Sequence, residues 1–379
     1  MTPLFSVAMN LPRAAELVAG VLQSGYVGEG RMVERFEEAL AKVLGLPSHP
    51  DGEPSILAVN SCTMALTIAL DCIRDYWGTL GYGDEVITTP ITCTATSGAI
   101  VKTGATLVWA DVDPVTGCID PDDVRRKITP KTRAIVAVDW GGRLFDYVSL
   151  RQIGIPIIRD AAHSFLAEPR LEGRLADYTC YSFGPIKHLT CGGYGGALST
   201  PWNMTKRARL LRWHGLDRRS SADFRCAQDI VEAGYRGHMT DDQAAVGLAN
   251  LERVEWIVAR HRENAFWYDR ALKGLPGVTL PPPDPGSSYW LYTLLADDRD
   301  GLQARLAARG VASSQVHAIN TRHTAFRRQS RGADSVPNAD YFDAHQLSIP
   351  VGWWVSAQDR EQVAEAVWAS VTERQVAYA

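Results

Sequence analysis

The residues best suited to chemistry cluster around Lys187, in Ser182-Phe183-Gly184-Pro185-Ile186-Lys187-His188-Leu189-Thr190, which runs on into Cys191-Gly192-Gly193-Tyr194-Gly195-Gly196. A lysine in so small, apolar and glycine-rich a setting is poorly matched to a solvated surface. Buried even in part, its ammonium loses hydration and its pKa falls, which suits imine formation with a carbonyl. The same residue could instead be a loop lysine that snorkels to water. Asp160 lies 27 residues earlier, at the end of the apolar run Ile155-Pro156-Ile157-Ile158-Arg159. A carboxylate there could pair with a protonated pyridine nitrogen and make that ring an electron sink, or it could cap a turn. His163 could stack on or bond to the same ring, or be structural. Ser61-Cys62-Thr63 precedes an apolar helical run. Its free N–H groups and hydroxyls could bind a phosphate, or Ser61 could simply cap the helix.

These residues need a scaffold that brings them together, and the order of elements supplies one. Val33, Phe36, Leu40 and Val43 recur at helical spacing. A short strand over 55–60 is followed by a helix from Met64 to about Trp77. Strand 85–88, helix 95–103, strand 106–110, helix 121–128, strand 133–138 and strand 155–159 continue the alternation. Short buried strands between helices imply a mostly parallel sheet covered on both faces. Ligands in such sheets sit beyond the carboxyl ends of the strands. Ser61-Cys62-Thr63, Thr92-Cys93-Thr94 and Asp160-Ala161-Ala162-His163 all fall there, so one shared site is expected. A helical region over 240–272 leads to the proline-rich stretch 280–285. Beyond it, strand 289–295, helix 301–309, strand 313–317 and a final helix from Ala357 suggest a smaller α+β unit. The basic segment Asn320 to Asp334 reads as a long loop.

The chain has 379 residues, 46% apolar and 22% charged, with a net charge of −4. Two packed domains are expected, and bulk electrostatics give no nucleic-acid or membrane surface. Met1 to Pro12 lacks a basic cluster followed by an apolar core, so no signal peptide is expected. The cysteines at 62, 72, 93, 118, 180, 191 and 226 are odd in number and form no CxxC pair. A reducing cytoplasm fits best. No histidine spacing suggests a metal, so none is expected.

Taken together, a phosphate-ready helix start, a strand-end aspartate and a later lysine resemble the fold-type-I pyridoxal-phosphate enzymes. More closely, nearly the whole chain resembles the DegT/StrS-type nucleotide-sugar aminotransferases. Val27-Gly28-Glu29-Gly30 with Val33, Phe36 and Glu37 is similar to that family's opening signature, and Asn60 to Leu66 to its "SGTxAL" phosphate loop. Thr103-Gly104-Ala105, Asp111-Val112-Asp113-Pro114 and Ile119-Asp120-Pro121 continue the match. Asp160-Ala161-Ala162-His163 and Ser182 through Lys187 to Gly196 are its most specific parts. Met239 to Ala245 and Ile349-Pro350-Val351-Gly352 extend it toward the C-terminus.

The resemblance implies an α/β, aspartate-aminotransferase-like fold, with a cofactor-binding large domain over 1–250 and a smaller α+β domain over 251–379. It implies that Lys187 holds pyridoxal 5'-phosphate as a Schiff base and shuttles a proton between substrate and cofactor. Asp160 would pair with the pyridine nitrogen, and His163 would lie beside the ring or its phenolic oxygen. Ser61, Cys62, Thr63 and Ser182 would bind the phosphate. Several residues depart from the family pattern: Cys62 replaces a glycine, and Cys93 stands where an aromatic residue commonly stacks on the ring. In Gly234-Tyr235-Arg236-Gly237-His238-Met239, Arg236 replaces an asparagine that reaches the neighbouring subunit's phosphate. Asp139-Trp140-Gly141-Gly142 replaces a histidine-containing stretch. The implied reaction moves an amino group from an amino acid, glutamate in this reading, to a keto-sugar linked to a nucleotide, in a homodimer with shared sites. Amination of a cyclitol or another non-nucleotide keto substrate is an alternative, as is sugar dehydration. Relatives that dehydrate carry histidine in place of the lysine, and here His188 is adjacent. A non-enzymatic cofactor-binding regulator is the alternative from another class.

Overall fold

The computed structural model describes residues 1–46, 52–73, 80–168, 175–218 and 227–378. The strands along the chain are β1 (Ile56–Val59), β2 (Glu85–Thr88), β3 (Thr106–Trp109), β4 (Thr132–Val138), β5 (Ile157–Asp160), β6 (Tyr178–Ser182) and β7 (Gly196–Ser199). They continue with β8 (Val278–Thr279), β9 (Tyr292–Ala296), β10 (Ser330–Arg331) and β11 (Gln346–Ile349). Eight of them form one sheet in the order β1-β7-β6-β5-β4-β2-β3-β10, and β11-β9-β8 form a second. In the large sheet β7 runs antiparallel to both neighbours. The other pairings are parallel. A parallel sheet needs cover on both faces, and β1, β2 and β5 are buried along their whole length.

Local sequence explains how the helices begin and end. Arg31–Leu44 buries Val33, Phe36, Leu40 and Leu44 on one face and stops at Gly45, whose φ of 66° is left-handed. At its start, Asp241 accepts from the N–H groups of Gly30 (2.9 Å) and Val33 (3.0 Å). A carboxylate on the first turn satisfies donors that the helix itself cannot. This bond pair ties the Gly28-Glu29-Gly30 stretch to Met239–Ala245, two separate parts of the resemblance. Cys62–Cys72 is capped by Ser61, whose hydroxyl accepts from Met64 N–H (3.2 Å).

The alternation of strands and helices through β5 agrees with the expectation, and several elements differ from it. A helix at Leu11–Gln23 precedes the one anticipated as first. The anticipated single helix over 240–272 is two, Asp241–Leu251 and Val254–Ala271. Asn320 to Asp334 is not one loop but contains the helix Thr324–Arg327 and β10, which adds an edge to the large sheet. The expected strand at 313–317 is instead a single bridge, Ser314 to Ser348, followed by a tight turn. There Val316 has a φ of 65°, and His317 N–H donates to the Gln315 carbonyl (2.8 Å). A β-branched residue in the left-handed region cannot continue a strand. The expected helix end near Trp77, and Cys226, lie outside the described residues.

Candidate active site

Four strand ends converge on one polar cluster at the carboxyl edge of the large sheet. Asp160 closes β5 and is 5% exposed. Its Oδ2 accepts from Thr96 Oγ1 (2.7 Å), and its Oδ1 accepts from Ala162 N–H (3.1 Å). Cys62 Sγ lies 3.9 Å from Oδ1. Burial pushes the Asp160 carboxyl above its usual value, and these bonds and the Lys187 charge offset only part of that rise. Asp160 therefore lacks a full counter-charge.

Lys187 sits in the turn between β6 and β7. Burial lowers its pKa to about 8, opposed by Asp160, Cys62 and Cys93. Its Nζ lies 3.4 Å from the ring centroid of Trp290. His163 is buried, stacks on Trp290 at 3.9 Å, and runs nearly parallel to His317 at 5.6 Å. Its Nδ1 has no hydrogen-bond partner among the described residues, and burial holds its pKa well below that of an ordinary histidine. A neutral, unsatisfied imidazole in an aromatic wall is available to a ligand.

Ser61, Cys62 and Thr63 form the start of the helix Cys62–Cys72. The first N–H groups of that helix, those of Cys62 and Thr63, have no acceptor among the described residues, as helix geometry requires. Gly196 lies against this turn. A Cβ there would meet Cys62 N and the Ser61 carbonyl carbon, each at 2.6 Å, so only glycine lets β7 pass so close. Cys93 precedes the helix Thr94–Lys102 without capping it, and Ser182 ends β6 half-buried. Arg236 is exposed. Its carbonyl accepts from Asn60 Nδ2 (3.1 Å), and its side chain has no partner among the described residues. The structure thus gathers Ser61, Cys62, Cys93, Asp160, His163 and Lys187 at one edge, with Thr63 and Ser182 on the elements beside them. Arg236 projects outward from the strand-like segment next to Asn60.

Several residues of this site are not among those singled out from the sequence. Thr96 fixes Asp160, and its signal was within reach, one turn after the polar cluster Thr92-Cys93-Thr94. Trp290 reads as one more apolar strand residue. Its placement depends on Tyr289, whose φ of 47° stops β9 from starting before Tyr292. An aromatic residue in that conformation costs on the order of 1–3 kcal/mol and persists only where the surroundings over-determine it. They do so here. His261 Nδ1 meets the Tyr289 carbonyl (2.8 Å) and His188 Nε2 the Ser288 carbonyl (3.0 Å). Because carbonyls only accept, both nitrogens carry the proton. Burial keeps both rings neutral, His261 at a pKa of about 4 and His188 well below its usual value. Ser288 N–H and Leu291 N–H donate to the carbonyls of Gly142 and Gly141. The departure at Asp139-Trp140-Gly141-Gly142 thus has a structural role: its glycines hold the Trp290 segment, and buried Asp139 pairs with Arg159 (2.6 Å).

Among the described residues no group of three His, Cys, Asp or Glu side chains could hold a metal ion. No helix among them is long and apolar enough to cross a membrane.

Comparison with known proteins agrees with this geometry. The spore coat polysaccharide biosynthesis protein SpsC of Bacillus subtilis (strain 168) is 32% identical, with 92% of each chain covered. The crystal structure of AtS13 from Actinomadura melliaura superposes with a TM-score of 0.88 at 37% identity, over 97% of this chain and 98% of that one. The sugar aminotransferase CalS13 from Micromonospora echinospora gives 0.88 at 34% identity, over 97% and 100%. The description of the DegT/DnrJ/EryC1/StrS aminotransferase family matches residues 12–368. With its lysine, aspartate and helix start gathered on a parallel sheet edge, the chain belongs to that family of pyridoxal-phosphate enzymes.

Proposed function

We propose that this protein transfers an amino group from an amino acid, glutamate in our reading, to the keto carbon of a sugar carried on a nucleotide. The reading rests on one observation above all: a lysine whose pKa is lowered by burial lies near enough to buried Asp160 for their charges to interact, and that carboxylate has no full counter-charge among the described residues. The residues present suit pyridoxal phosphate. Unpaired N–H groups at Cys62 and Thr63 beside the Ser61 hydroxyl, above a Gly196 with no room for a Cβ, form a cradle for a phosphate. Ser182 would add a hydroxyl to it. Asp160 would hold the pyridine nitrogen, whose positive charge would relieve the cost of burying the carboxylate. His163, with its free Nδ1, would meet the ring or its phenolic oxygen, and Cys62 and Cys93 would line the site.

When bound, pyridoxal phosphate supplies a ring that withdraws electrons from the carbon undergoing proton loss. The protein's own part is positional and acid–base. Lys187 Nζ, with a pKa of about 8, can both accept and return a proton near neutral pH, which is what a general acid–base at one carbon must do. His188 is bound to the Ser288 carbonyl, so it is not available to replace Lys187 in a dehydration. Trp290 and His317, both beyond residue 250, stack beside His163 and would complete the site from the C-terminal part of the chain. A division into a large unit over 1–250 and a smaller one over 251–379 is part of this proposal.

A homodimer with shared sites completes it, with exposed Arg236 reaching the partner's cofactor phosphate. A guanidinium can make two parallel charge-assisted bonds there. The central test is reduction of the purified protein with borohydride followed by peptide mapping. The phosphopyridoxyl group should appear on Lys187; on another lysine, or on none, the assignment is wrong. Mixing Arg236→Ala with Lys187→Ala subunits tests sharing. Partial recovery of activity is expected, and none, with subunit exchange demonstrated, would end the role of Arg236 in trans.

A further inference from the structure

Lys187 is flanked on both sides by ties to one segment, the residues that lead into β9. Trp290 Nε1–H donates to the carbonyl of Ile186 (2.9 Å), the residue before the lysine. His188, the residue after it, donates to the Ser288 carbonyl (3.0 Å). Between these two ties the ammonium lies 3.4 Å from the indole centroid. Two further rings stack on the indole, Phe5 at 5.2 Å and His163 at 3.9 Å. The strained backbone at Tyr289 and the two neutral histidines fix its angle. So much fixation of one side chain exceeds what core packing needs, and all of it aims a single aromatic face at a single amine.

We propose that Trp290 is a positioning residue for Lys187, its indole face being the seat on which the free ammonium rests. The inference builds on the reading of Lys187 as the cofactor-bearing lysine, whose amine must be free for part of every cycle. A free ammonium in a closed site has lost its water, and the negative face of an aromatic ring is a neutral group that can stabilise it. Asp160 could also attract it, yet an ion pair would tether the lysine to the group intended for the pyridine nitrogen. A ring holds the cation loosely and keeps Asp160 free. The seat also limits the rotamers from which Nζ must return, which shortens the search for its reactive position. Burial lowers the lysine's pKa, and Asp160, Cys62 and Cys93 counteract part of that fall; the ring would add to their effect.

The test is a series of near-isosteric replacements of Trp290 by tryptophans bearing one, two and three fluorines. Fluorine weakens the negative face and barely changes shape, so packing and water access are preserved. The Lys187 pKa is read in the full chain freed of cofactor, from the pH dependence of trace acetylation located by mass spectrometry. It should fall stepwise along the series, by about one unit in all, which is about a tenfold rise in labelling below the inflection. A flat or rising series, in variants with unchanged circular dichroism, overturns the proposal. The borohydride mapping is independent of this measurement. A lysine that follows the fluorine series but carries no cofactor would sink the functional reading alone, and the reverse result would sink the seat alone.

Discussion

Glu37 and Asp160 are carboxylates buried almost equally, at 2% and 5% exposure, in opposite electrostatic settings. Burial pushes Glu37 upward, but Arg212 and Arg209, with Ala58 N–H, more than offset it and hold the group below its ordinary value. Arg212 Nη1 lies 2.6 Å and Arg209 Nη1 3.2 Å from its oxygens, and Arg212 also reaches Glu29. Asp160 receives a threonine hydroxyl and an amide but, among the described residues, no cation in contact, and stays above its ordinary value. Arg212 is raised by its partners, whereas Lys187 falls to about 8. The Glu37 cluster matches its charges to each other, while the strand-edge cluster leaves them open to a molecule that is not part of the chain. Buried charge of the first kind joins Arg31–Leu44 to β1 and the helix Thr205–Arg212. The second kind is useful only if something arrives to complete it.

The contrast is broken most directly at Asp160. Asp160→Asn keeps its Oδ1 as the acceptor for Ala162 N–H, and the Thr96 hydroxyl can turn to accept from the new Nδ2, so stability should change by no more than about 1 kcal/mol. The half-reaction with an amino-acid donor should nevertheless slow by orders of magnitude, because the ring nitrogen loses its counter-charge. Stopped-flow rates within a few fold of the parent would reduce Asp160 to a structural role. Glu37→Ala should show the opposite split. It leaves buried Arg212 and half-buried Arg209 each short of a partner, and denaturant titration should register a loss of about 3 kcal/mol. The molecules that remain folded should keep their turnover. A loss below about 1 kcal/mol would mean that solvent already shields this cluster.

Acid should separate the two regions more gently. His261 has a folded pKa of about 4 against an ordinary 6.5, so the unfolded chain binds the proton more readily. Its stabilising contribution is therefore complete above pH 6.5 and is lost as pH falls from 6.5 through 4, by roughly 3 kcal/mol at most. Glu37 titrates from below its ordinary 4.5, so its share is lost only at lower pH. Hydrogen exchange at pH 5 should thus quicken at residues 288–291 before residues 33–37, and His261→Asn should flatten the acid slope. Equal acceleration in both segments would contradict this assignment.

How much of this was legible beforehand depended on whether a residue's place in the fold follows from local pattern. Asp160 and Ser61 were legible because each sits where an apolar strand gives way to polar residues, and the alternation of elements places such points on one edge. Lys187 was legible from its small and glycine-rich neighbours. β6 and β7 were not anticipated as strands, since Tyr178–Ser182 and Gly196–Ser199 are short and flank the lysine turn. Trp290 and His317 were missed for a different reason. Their directions are set by left-handed backbone at Tyr289 and Val316, residue types that favour strands. Such conformations are imposed by bonds from remote segments, among them His261 and Gly142, and leave no trace in neighbouring letters.

β10 has a consequence for how the chain is made. Ser330 and Arg331 pair with Leu107 and Val108, and Arg331 grips Glu85 with two nitrogens, at 3.0 and 2.8 Å. During synthesis, β3 emerges long before this partner does and presents an unpaired, hydrophobic edge in the interim. A ribosome that stalls before residue 330 therefore leaves a nascent sheet open to pairing with another chain. Holdase chaperones would find their target on that edge, and a few residues near the far end of the message decide when it closes.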